Sequence, residues 1–261
     1  MSAQPIPIED DPCDVLGKAM RGLDLSLPEL AQSTGLTTDQ IQDQLNGEDN
    51  LELLIKIAPV LGLSATSLAG LPSYRPEVIA PVGLECFVTP FGHAGVNAFA
   101  IIRNKHAIII DTGTDASSLL SFIENNALQI DQLLITHRHA DHIACLEAFQ
   151  GVDAIYPEHT AHGDIIETTC GPIKALDVSG HILPARAYLY EGLDLPVCAV
   201  GDSVFAGSMG GTKHPDHYTV ALRTAQENIM TLPENTVICP GHGPLTSVGM
   251  EKKHNPFLNT V

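Results

Sequence analysis

The run Thr136-His137-Arg138-His139-Ala140-Asp141-His142 limits what this chain can fold into more than any other feature. Three imidazoles and a carboxylate fall between positions 137 and 142, directly after the apolar run QLLIT. A strand fixes the backbone up to its last residue, and the loop after it can turn all four side chains inward. The fold must therefore bring a strand end to a polar cleft. Imidazole and carboxylate at this density suit divalent transition metals, and the motif alone supplies four ligands, enough to begin two sites. The competing reading is a solvated loop rich in histidine.

The other ligands are expected at later strand ends. Gly180-His181 follows PIKALDV, Gly201-Asp202 follows PVCAV, and Gly241-His242-Gly243 follows TVICP. Glycine beside an imidazole or carboxylate lets the backbone turn closely where the strand stops. The full set is five imidazoles (His137, His139, His142, His181, His242) and two carboxylates (Asp141, Asp202), with no thiolate. Such N/O donors suit Zn, Fe or Mn without ranking them.

The rest of the chain divides by texture. Residues 1–12 are polar and proline-containing and predict a loose tail. Residues 13–71 carry only helical patterns, read as five short helices. Ser26 with Glu29 and Thr37 with Gln40 match capping boxes, and Leu51, Leu54, Ile57, Ala58 and Leu61 form an apolar stripe. Residues 73–84 are proline-rich and read as a linker between a helical domain at 1–72 and a second domain at 85–261. From residue 85, short apolar runs alternate with helical stretches at 115–127 and 218–230, the pattern of an α/β domain.

Thirteen Lys and Arg against 31 Asp and Glu give a net charge of −18. That balance argues against nucleic-acid partners and anionic membrane surfaces, both of which need cations. No apolar run is long enough to span a bilayer, no basic-then-apolar leader opens the chain, and the six cysteines are scattered, so a cytoplasmic protein with reduced thiols is expected.

The ordered ligands, together with IIIDTG ending at Gly113, GDSVFAGSMGG (201–211), PGHGPLT (240–246) and EKKHNPF (251–257), resemble the metallo-β-lactamase superfamily over roughly residues 84–261, most closely its glyoxalase II-like branch. The resemblance implies an αββα sandwich with a dinuclear metal cleft. It places His137, His139 and His181 on a first metal, Asp141, His142 and His242 on a second, and Asp202 between the two. Asp111 is implied to orient a ligand, and Asp141 to take up a proton during turnover. Two divalent ions would hold a bridging water and lower its pKa, giving a hydroxide that attacks a thioester, or else an ester or lactone. A mononuclear iron persulfide dioxygenase resembles the same scaffold and stays as an alternative. A metal-sensing DNA-binding regulator is another.

Two features depart from that branch. The segment around the third histidine reads SGHILPARAY where many relatives carry a second PGHTxGH-like motif. The chain stops just after NPF, where glyoxalase II continues into a basic glutathione-binding domain, so the resemblance supports the hydrolytic centre more than a lactoylglutathione substrate. Lys213, His214 and His217 follow the GSMGG loop and are candidate contacts for a substrate anion, with a solvated loop as the other reading. Cys145 and Cys239 read as small buried hydrophobes rather than ligands. His93, His106, His159, His162 and His254 read as structural or surface residues.

Residues 28–46 resemble a Cro-type helix-turn-helix, with Ala31 at the helix crossing, Gly35 in the turn and Ile41 as the apolar anchor. Residues 1–72 hold Lys18, Arg21 and Lys56 against 11 acids, a charge of 3 − 11 = −8. The motif is therefore expected to pack or dimerise rather than bind DNA.

Overall fold

The computed structural model describes residues 6–91 and 94–259. Five α-helices come first: α1 (Pro12–Gly22), α2 (Leu27–Thr34), α3 (Thr38–Leu45), α4 (Leu51–Ile57) and α5 (Ala65–Gly70). Their starts follow the caps in the sequence. Glu29 closes a capping box with Ser26, and Gln40 closes one with Thr37. Gly35 ends α2 at φ 71°, a left-handed conformation that glycine adopts without steric cost. Ile41 is fully buried, as its place in the helix pair requires.

Two sheets follow. The first runs β1 (Leu84–Phe91), β2 (Ala94–Arg103), β3 (His106–Ile110), β4 (Gln129–Leu134) and β5 (Ala154–Ile155), in that spatial order. The second contains β6 (Ile165–Ile166), β7 (Ile173–Asp177), β8 (Arg186–Tyr190), β9 (Val197–Gly201), β10 (Val237–Pro240) and β11 (Thr246–Ser247), in the spatial order β11-β10-β9-β8-β7-β6. Side-chain alternation separates their faces. Phe99, Ile101, Ile108 and Ile110 meet Ala175, Tyr188, Val197 and Ala199 between the sheets. Ala98, Ala100 and Ile109 point the other way, onto α6 (Ser117–Asn125). The outer face of the second sheet is covered by α8 (Pro215–Thr224) and α9 (Val248–His254). This is the expected αββα layering, and α7 (Ala140–Ile143) forms one turn after β4.

The first five helices do not stand apart. Val15, Leu16, Leu30, Ile41 and Leu54 belong to one continuous core with Leu176, Val178, Ala187, Cys198 and Val200 of the second sheet. At the closest approach, a side chain added at Gly22 would begin 2.3 Å from the Tyr218 ring of α8. Glu251 of α9 ties the layers together. It is fully buried and accepts from Tyr74 Oη at 2.8 Å, Thr246 Oγ1 at 2.6 Å, the Gly207 amide at 2.9 Å and Asn255 Nδ2 at 2.8 Å. Asn255 Nδ2 also donates to the Ser208 carbonyl, so the EKKHNPF ending anchors the GDSVFAGSMGG loop.

The loose tail needs correcting over its second half. Part of residues 6–11 is packed: Asp10 is 7% exposed, Ile6, Ile8 and Glu9 are half-buried, Pro7 and Asp11 are exposed, and the segment crosses the loop that carries His242. Polarity misled here because the partners of Asp10 are a hydroxyl and an ammonium, not water. Residues 1–5 of that tail, and His93, lie outside the described residues.

Candidate metal centre

The parallel strands β3, β4, β9 and β10 end at one edge of the sandwich, where Asp111, the 136–142 segment, Asp202 and His242 follow them. His181 comes from the turn between β7 and β8. Two groups of ligand atoms converge there: His137, His139, His181 and Asp202 in one, and Asp141, His142 and His242 in the other. In the first, His139 Nδ1 lies 3.1 Å from His137 Nε2 and 3.0 Å from His181 Nε2. In the second, Asp141 Oδ2 lies 3.2 Å from His242 Nε2 and 3.6 Å from His142 Nε2. Asp202 reaches both. Its Oδ2 is 3.4 Å from His181, 3.6 Å from His242 and 3.7 Å from His137, and its Oδ1 is 3.3 Å from His142.

The outward nitrogen of most imidazoles is engaged, which fixes the ring and aims the other nitrogen inward. His181 Nδ1 donates to the Gly211 carbonyl at 2.6 Å, and His242 Nδ1 to the Gly95 carbonyl at 2.8 Å. His142 Nδ1 donates to Asp111 Oδ2 at 2.8 Å. Thr136 Oγ1 donates to the same oxygen at 2.7 Å, which leaves its lone pair for His137 Nδ1 at 3.1 Å. Asp111 thus orients two of the five imidazoles. It does so at φ 58°, a left-handed backbone that costs about 1–3 kcal/mol in a non-glycine residue and is held here by the Thr136 amide and hydroxyl.

Charge divides the two groups. Burial, reinforced by the neighbouring imidazoles, pushes His137 well below its ordinary value, and His139 and His181 also fall, chiefly through burial. Burial acts the same way on His142, but Asp202 and Asp111 overcome it and hold that ring well above the usual range. His242 is also raised, through Asp141 and Asp202, against its burial. Burial alone would raise Asp202, yet the charges of His142, His137 and His242 hold its carboxyl well below the carboxylate range.

Three observations fit a pair of bound cations. The donors are nitrogen and oxygen only, and they converge. His142 Nε2 and Asp202 Oδ1 are buried and face each other at 3.3 Å, with no well-formed hydrogen bond to any group among the described residues. The loop of His242 approaches so closely that a side chain at Gly241 would begin 2.1 Å from Asp202 Oδ1.

Other expected residues lie elsewhere. Lys213 and His214 are exposed and His217 is half-buried where α8 begins, outside both ligand groups. The rings of His214 and His217 meet edge-on at 5.4 Å. Cys239 is buried in the core between the sheets and Cys145 packs under the first sheet, neither as a ligand. His159 and His162 accept backbone amides, His106 faces Asp131 and His254 stacks on Tyr74, all structural uses. Sequence reading gave Thr136 no role of its own, although it opens the run. It also missed Asn97, whose Nδ2 donates to the Pro240 and Gly243 carbonyls and so fixes the His242 loop.

Residues 92–218 match the metallo-beta-lactamase superfamily. A protein of Bacillus subtilis named probable metallo-hydrolase YqgX is 28% identical over 65% of this chain and 95% of its own length. The hydroxyacylglutathione hydrolase GloC of Haemophilus influenzae is 29% identical over 60% of this chain and 89% of its own. Among solved structures, the BLEG-1 B3 metallo-beta-lactamase is similar with a TM-score of 0.57 and 25% identity, over 67% of this chain and 99% of that one.

Proposed function

Because the chain carries a metallo-beta-lactamase superfamily domain, we propose that it is a dinuclear metal-dependent hydrolase that cleaves a thioester, or else an ester or lactone. The observation that carries this reading is Asp202, one carboxylate within 3.7 Å of four imidazoles drawn from both ligand groups. Two divalent cations at these groups would supply a water of lowered pKa and polarise the scissile carbonyl.

The chain's own residues do the rest. His137, His139 and His181 would hold one cation, Asp141, His142 and His242 the other, with Asp202 between them. The Asp111–Thr136 pair keeps two of the rings aimed inward. Asp141 would accept a proton at its carboxylate, which His242 and His142 keep ionised against the effect of burial. Lys213, His214 and His217, at the start of α8, would meet an anionic part of the substrate. The relatives named as a metallo-hydrolase and a hydroxyacylglutathione hydrolase support the reaction class.

The test is metal analysis coupled to a panel of thioesters, esters and lactones. About two Zn, Fe or Mn ions per chain are expected. Chelation should abolish hydrolysis, and adding the metal back should restore it. Turnover that survives verified metal removal would overturn the reading. Oxygen uptake with a persulfide by a one-iron protein would replace it with a dioxygenase.

A further inference from the structure

The partly buried segment at residues 6–11, outside the 92–218 match, reaches the side of the metal cleft where the His242 loop stands. Glu9 N lies 3.3 Å, and the Pro7 carbonyl oxygen 3.6 Å, from where a side chain on Gly243 would begin, so the segment runs over the loop that carries His242. A clasp fixes it there. Asp10 accepts Ser208 Oγ at 2.5 Å and also Lys18 Nζ, and Lys18 donates in turn to the Met209 carbonyl at 2.9 Å. The Lys18 ammonium sits 5.2 Å over the Phe205 ring, and that ring meets His242 edge-on at 5.7 Å.

Glu9 takes no part in the clasp. Its Oε2 is buried with no hydrogen-bond partner among the described residues. A buried carboxylate oxygen without a donor is costly, and a ligand that brings a donor removes the cost. Burial holds the Glu9 carboxyl above its ordinary value; the charges of His242 and Lys18 pull it down and those of Asp10 and Asp202 push it up, so the group lies within the field of the metal ligands. Lys18, the ammonium of α1 nearest this end, is already taken by Asp10 and the Met209 carbonyl.

We propose that Glu9 is a specificity-determining residue of the cleft: its carboxylate receives an ammonium or N–H group of the substrate at the His242 end and turns a carboxylate away. The proposal rests on the hydrolase reading and narrows its substrate class to thioesters or esters with a hydrogen-bond donor at that end.

The test uses the metal-loaded full chain and alkanethiols of two to four carbons that end in ammonium, hydroxyl or carboxylate. Their thiol ends are identical and seek the metals, so the ranking of affinities by calorimetry reads the other end. Ammonium should bind tighter than hydroxyl, and carboxylate weakest. Glu9→Gln should reduce the ammonium-over-carboxylate ratio about tenfold or more, the scale of one charge-assisted hydrogen bond, while leaving hydroxyl binding within about twofold. Glu9→Asp should keep part of the preference. A ratio unchanged in Glu9→Gln would overturn the proposal. Loss of bound metal in that variant would also overturn it, by making Glu9 a ligand instead. Because these affinities do not depend on turnover, the result stands apart from whether any thioester is cleaved.

Discussion

Asp202 lies within 3.7 Å of imidazoles in both ligand groups, so changing it should affect both. Asp202→Ala is expected to lower metal content at both sites, whereas His242→Ala should empty mainly the site it shares with Asp141 and His142. Inductively coupled plasma analysis of the purified variants decides, and full dinuclear occupancy in Asp202→Ala would refute the assignment. The pKa directions add a second expectation. His137, His139 and His181 are lowered, so they are neutral at pH 7 and ready to bind. His142 is held well above its ordinary value and His242 is raised, so protons compete with a metal more strongly there. Near neutral pH, loading the second site should therefore release protons, while loading the first should release few. As pH falls through the raised values, the second site should lose its metal first. Titration in weakly buffered solution with a pH indicator measures this, and proton release confined to the first site would contradict it.

At the scale of elements, the contact of α1 with α8 is the most exacting. Gly22 has no room for a methyl group beneath the Tyr218 ring, so Gly22→Ala should cost about 1–3 kcal/mol by overpacking, read from the shift of a denaturant midpoint. A change within error would mean that the helices separate easily. The elements were also where the sequence spoke most clearly. Ser26 with Glu29 and Thr37 with Gln40 mark helix starts because capping is local, and both boxes form. The apolar stripe read from Leu51 to Leu61 needs one correction: Leu51, at the first turn of α4, is 51% exposed, while Leu54, Ile57, Ala58 and Leu61 are buried. The two-residue strands β5, β6 and β11 escaped notice because so short a segment has no periodicity to read.

Over the whole molecule, the helical region and the sandwich share a core. Removing residues 1–73 should therefore leave a chain that aggregates or unfolds at lower denaturant. A soluble fragment with an unchanged midpoint and unchanged metal content would show the core to be divisible. The full chain is not expected to shift DNA at physiological salt, since Lys18 is spent on Asp10 and Met209 and leaves its helical region with Arg21 and Lys56. A salt-sensitive, sequence-selective complex in a mobility-shift assay would refute this. The candidate ligands that converge in the structure could be picked out because each follows a strand end and three of the seven stand beside glycine. Of the groups that aim them, Asp111 was expected and the others were not. The Gly95 and Gly211 carbonyls carry no side-chain signature, and Glu9 meets the His242 loop only because the fold brings together residues far apart in sequence.

The loop from Ser208 to Gly211 is held from both sides. Its inner edge accepts His181 through the Gly211 carbonyl, and its outer edge is gripped by Asp10 and Lys18. Two events that act on one segment are thermodynamically linked, and the linkage is reciprocal. Occupancy at His181 should tighten the grip of α1, and loosening α1 should weaken that occupancy by the same factor. Amide hydrogen exchange in α1 should accordingly slow when the protein is loaded with metal, and Asp10→Asn should reduce both the protection and the affinity. The first helix would then report on a cation that it does not touch.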